Sequence, residues 1–97
     1  MKSKTVDLYR DFGFFKYILK KYKLCGGTIG GFSANNGFSK NTFSISWQYH
    51  GIPKHAQFAL AKEIEIYNLM ESLKGNACNR ISEDMIYLDY QEYTTIH

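Results

Sequence analysis

No apolar run in this chain approaches the ~18–20 residues needed to cross a bilayer, so no membrane-spanning helix is expected. The basic start is not followed by the uninterrupted apolar stretch of a signal peptide, so no secretory leader is expected either. Cysteine is scarce: Cys25 and Cys78 stand far apart and outside any CxxC pair. One disulfide between them is the alternative, and two buried free thiols in a cytoplasmic protein are the expectation. The glycine-rich stretch Cys25-Gly-Gly-Thr-Ile-Gly-Gly-Phe32 has neither GxGxxG spacing nor a following GK[ST], which argues against a nucleotide-phosphate loop. Internal repeats and low-complexity segments are missing as well. No cofactor is implied.

What the chain does have is aromatic residues and a charge split by position. The 97 residues are 44% hydrophobic and 16% aromatic, which suits one small folded domain over residues 1–97. Residues 1–62 carry ten Lys/Arg against Asp7 and Asp11, and residues 63–97 carry two against seven carboxylates. Net charges of +8 and −5 thus add to the overall +3. Like charges gathered on one surface add their fields, whereas mixed charges cancel.

The hydrophobic spacing predicts an α+β domain of order α-β-β-α-β, with helices packed on one face of a three-stranded sheet. Residues Met1 to Lys4 form a frayed basic end. A first helix, capped by Thr5 or by Asp11, puts Leu8, Phe15, Leu19 and Tyr22 on one face and ends at Gly26-Gly27. Phe43, Ile45, Trp47 and Tyr49 alternate with polar residues over Thr42 to His50, the pattern of a half-buried strand. Asn36-Gly37 supplies a hairpin turn that pairs Ser33 with Lys40, Gly30 with Phe43 and Thr28 with Ile45. Pro53 opens a long helix that Gly75-Asn76 closes. Its apolar residues cover more than half the helix circumference, beyond the ~100° stripe of a one-sided surface helix. A buried position or a homodimer through the 53–74 helix would explain that arc. Asp84 to Ile96 has the composition of a last strand.

Four groups of residues are candidates for function. Lys16, Lys20, Lys21 and Lys23, with Arg10, form a phosphate-binding stripe, and Tyr9 and Tyr17 beside it offer rings for base stacking. Glu63, Glu65, Glu71, Asp84 and Asp89 form an alternative acidic surface for a basic protein partner. His50 and His55, near Lys54, suit acid–base cleavage of RNA without a metal. Cys25, His50, His55 and Cys78 suit zinc by residue type, but no metal-ligand spacing supports a site. Without a catalytic motif, the leading expectation is a non-enzymatic protein that contacts nucleic acid or a nucleic-acid-handling protein complex. An accessory or inhibitor protein of a phage or mobile element fits that size and composition. A protein–protein inhibitor acting through the acidic half and a small ribonuclease are the alternatives.

Overall fold

The computed structural model describes residues 4–38 and 43–96, and every regular element among them is helical. In order these are α1 (Lys4–Leu8), α2 (Phe12–Lys21), α3 (Ile29–Asn35), α4 (Phe43–His50), α5 (Lys54–Leu73) and α6 (Glu83–Ile96). Tight turns at Leu24–Gly27 and Ala77–Asn79 separate α2 from α3 and α5 from α6. The expected three-stranded sheet is absent among the described residues, so the α+β reading is corrected to an all-helical fold.

The long apolar first segment divides in two. Asp11, one of the two caps foreseen, accepts from the Phe14 N–H at 2.8 Å and starts α2, while Thr5 lies inside α1. Helix α2 then buries Phe14, Phe15, Ile18 and Leu19 completely. Each large apolar side chain so buried stabilises the fold by about 1.5–3 kcal/mol relative to exposure. Around α2 gather Phe32 of α3, Trp47 of α4, Ala56, Leu60 and Ile64 of α5, and Ile86 of α6. Phe15 meets Phe32 edge-on at 5.0 Å and Trp47 at 5.9 Å, and Phe14 meets Tyr90 edge-on at 5.0 Å. These are the separations at which ring edges and faces attract.

Three segments expected as strands are helices for identifiable reasons. Thr28 accepts from the Gly31 N–H at 3.0 Å and caps α3. Asn36-Gly37 then ends that helix: Gly37 takes φ +73°, and the Phe38 N–H reaches back to the Ser33 carbonyl at 2.8 Å. A positive-φ glycine serves a helix terminus as readily as a hairpin. In the second segment, helix α4 buries Trp47 and leaves Ile45 and Tyr49 exposed, so the alternation there serves no sheet. Of the expected hairpin partners Lys40 lies outside the described residues, as do residues 1–3 of the expected frayed end, while the partners Phe43 and Ile45 stand in α4 and Lys4 stands in α1. In the third, Ile86, Tyr90 and Tyr93 fall at i, i+4 and i+7 and pack inward from α6, while Leu88 points out. Ser82 accepts from the Met85 N–H at 3.2 Å, and Glu83 and Asp84 complement the helix dipole in the first turn.

Helix α5 runs as the sequence indicates. It ends in a Schellman turn in which Asn76 N–H bonds the Glu71 carbonyl at 2.8 Å and Gly75 takes φ +83°. Asn68 ties the next turn down, donating to the Ile81 carbonyl at 2.8 Å and accepting from the Ile81 N–H at 2.6 Å. Near α3 the chain passes very close to itself. A Cβ on Gly31 would lie 2.0 Å from the Cys25 carbonyl oxygen, whereas one on Gly30 would meet nothing within 4 Å. Gly31→Ala is therefore expected to destabilise the protein by about 1–3 kcal/mol. Gly30→Ala should stabilise it by about 0.5–1 kcal/mol through the entropy of the unfolded chain and helix propensity. Thermal melts of the two variants against the parent check the opposite signs.

Candidate nucleic-acid interface

The exposed side of α2 carries Lys16 and Lys20, one turn apart, and Lys23 follows on the turn after the helix. All three are exposed because the opposite side of α2 is spent on the core. Between α2 and the start of α3 lies an open groove of about 320 Å³ lined by Phe12, Lys16, Tyr17, Lys20, Gly27, Thr28 and Ile29. Its floor is apolar, its rim carries two ammonium groups, and no carboxylate lines it. Lys16 Nζ sits 5.3 Å from the Phe12 ring centre, and Tyr17 packs on Phe14 and Tyr93 with centroids at 6.1 and 5.5 Å. The ring contacts hold Tyr17 in a fixed pose at the groove.

The other members of the basic group are placed elsewhere. Lys21 leaves the stripe and pairs with Asp89 of α6 at 2.5 Å. Tyr22 donates to the second Asp89 oxygen at 2.5 Å. The hydrogen bond to Asp89 raises the Lys21 pKa, so this lysine stays charged and occupied. Burial, and after it the Asp89 acceptor, likewise raises the Tyr22 phenol. Tyr9 is buried against Phe14, and burial followed by the nearby Glu83 charge holds its phenol protonated. It has no free ring face for a base. Arg10 lines a different cleft with Asp7, Asp11, Trp47, His50 and Gly51. Its carbonyl accepts from the Ile52 N–H at 2.9 Å, fastening the α4–α5 corner to the end of α1.

The acidic residues do not form one patch. Asp89 is buried under Lys21 and Tyr22. Glu63 turns inward and accepts from the Cys25 thiol at 2.9 Å. Glu65 borders a small apolar recess with Glu83, Glu71 lies 3.4 Å from the Asn76 amide, and Asp84 is exposed in the first turn of α6. His50 and His55 are both exposed, and His55 packs edge-on against Phe38 at 5.5 Å. Among the described residues no three His, Cys, Asp or Glu side chains gather as a metal ion would require. Both cysteines are free, but neither is buried as expected: Cys25 is half-buried and Cys78 is exposed. No helix among the described residues is long and apolar enough to cross a membrane.

Sequence reasoning missed the groove itself. It exists because Gly27, Thr28 and Ile29 approach α2 closely, and the sequence signal for that was the capping Thr28 just after a double glycine.

No family model matches the chain, and no solved structure matches it. The ATP synthase gamma chain of Chlorobium phaeobacteroides (strain BS1) is 33% identical to it over 90 residues. That alignment takes in 93% of this chain and 25% of the relative, so the chain spans about a quarter of the length of the curated relative it matches. So short a share of the longer protein passes on no activity.

Beside this interface the Cys25 thiol has its pKa pushed up to about 11, first by burial and then by the Glu63 carboxylate that it faces. The folded state thus favours the protonated thiol. Its contribution to stability is complete below the ordinary 9.0 and fades as pH rises towards 11. Iodoacetamide at pH 8, read by peptide mass spectrometry, is expected to modify Cys78 roughly tenfold or more faster than Cys25. Equal labelling would show that Cys25 is neither shielded nor held protonated.

Proposed function

We propose that this chain is a non-enzymatic binding protein that grips the sugar–phosphate backbone of single-stranded nucleic acid along α2. The observation that carries the reading is the pairing of Lys16 and Lys20 with an apolar, carboxylate-free groove containing Phe12 and Tyr17. Ammonium groups bind phosphate as point charges and release counterions, which gives affinity with little sequence preference. Rings recessed between them suit unstacked bases. A duplex keeps its bases stacked on one another, so the groove favours a single strand. Lys23 extends the charged edge beyond the helix, and Lys21 does not contribute because Asp89 holds it.

The burial of Asp89 and the hydrogen bond that engages half-buried Glu63 weaken the acidic-inhibitor alternative. His50 lines a cleft with Asp7 and Arg10 whereas His55 packs against Phe38, and catalysis is not part of the reading.

The test is fluorescence anisotropy with a labelled oligonucleotide across a salt series. Affinity for single strands should fall steeply with salt, and Lys16→Gln, Lys20→Gln and Lys23→Gln together should flatten the log–log slope by about 2. Tyr17→Ala should weaken binding roughly 5- to 100-fold with the slope kept, the effect of one lost stacking contact. Absence of binding at low salt, or a slope that the triple variant leaves unchanged, removes this function.

A further inference from the structure

Helix α5 has a second face that the fold does not use. Its inner side buries Ala56, Gln57, Leu60 and Ile64. Its outer side presents Phe58, Ile66, Leu69, Met70 and Leu73, with Leu69 62% and Leu73 80% exposed. Ile66, Leu69, Met70 and Leu73 stand at i, i+3, i+4 and i+7, the spacing of a helix-docking stripe rather than of scattered surface residues. This is the origin of the broad apolar arc in the sequence: one half faces the core and one half faces solvent.

We infer that this outer face is the interface of a two-fold homodimer in which two α5 helices pack antiparallel. The charges within the stripe choose both the partner and the direction. Lys62 and Glu65, both exposed, lie on the same outward side, three residues apart. A two-fold axis crossing α5 level with Glu63 and Ile64 sets Lys62 of each copy level with Glu65 of the other. The same register sets Phe58 level with Leu69 in both directions. A parallel pair would instead set Lys62 against Lys62 and Glu65 against Glu65, and like charges so placed are repulsive. A surface whose positive and negative groups complement each other across a two-fold is the signature of isologous contact with a second copy.

The stripe from Phe58 to Leu73 is ~23 Å long at the 1.5 Å rise of a helix. One helix pair of that length lies at or below the low end of stable interfaces, about 1,200 Å² in total. The dimer is accordingly reversible and depends on concentration.

Sedimentation equilibrium of the full chain tests it. The weight-average mass should rise from 11.3 kDa towards twice that value as concentration increases. Phe58→Ser with Leu69→Ser, at positions already exposed, should hold the protein at the monomer mass. Lys62→Glu alone and Glu65→Lys alone should each weaken dimerisation at least fivefold. The double exchange Lys62→Glu with Glu65→Lys should restore it to within about twofold, because the reversed pair is complementary again. A monomer mass at every concentration overturns the inference, as does a dimer that the serine variant leaves intact. Failure of the double exchange to restore association overturns the antiparallel two-fold.

Discussion

Two adjacent phenylalanines on α2 divide the work of holding this molecule together. Phe14 and Phe15 are both fully buried, but neighbours on a helix point about 100° apart. Phe14 therefore reaches Tyr90 and Tyr93 of α6, while Phe15 reaches Phe32 of α3 and Trp47 of α4. One short helix thus stitches the C-terminal helix to the middle of the chain. Ile18 and Leu19, one turn later, are fully buried as well. Among the described residues the buried side chains of the helices gather in one core around α2.

Because the inner side of α2 is committed to that core, its lysines have only the outer side left. Their surroundings then decide which of them remain available. Asp89 is buried on α6, and an unpaired buried carboxylate costs several kcal/mol, on the order of what the fold has to spare. Lys21 and Tyr22 satisfy it, so the requirement of α6 withdraws one lysine from the surface. Lys16, Lys20 and Lys23 face no such demand. The division of charge along the sequence therefore survives only in part: the acidic half folds back on the basic half at one buried point. The groove side of α2 stays positive.

The helices at the two strongest periodic segments were legible from spacing and caps: Asp11 for α2, and Gly75-Asn76 for the end of α5. The sheet was not there to be read, and the reason is ambiguity of period. Over Met85 to Tyr93, Ile86 and Tyr90 satisfy both alternation and the helical i, i+4 spacing. Tyr93 and the capping Ser82 decide for the helix. Asn36-Gly37 carries the same ambiguity, because a hairpin and a helix terminus both need positive φ. Of the candidate site, the lysines and Tyr17 were legible as a stripe. The loss of Lys21 was not, since it depends on Asp89, 68 residues away in sequence, and neither was that of Tyr9, which is buried against Phe14.

The position of Lys62 also explains how so apolar a surface as the outer side of α5 can exist on a small protein. An unbroken stripe from Phe58 to Leu73 would bind any apolar surface in any register. A charged residue in its middle makes most registers costly, because each would leave the ammonium group against hydrocarbon. An arrangement that brings a carboxylate to that point relieves the penalty, and in the proposed pair Glu65 of the second copy would do so. A polar residue within an apolar seam thus lowers the strength of association while raising its specificity, the same exchange that single polar residues make in coiled coils. On this argument Lys62 is not an interruption of the apolar face but the residue that keeps it from aggregating.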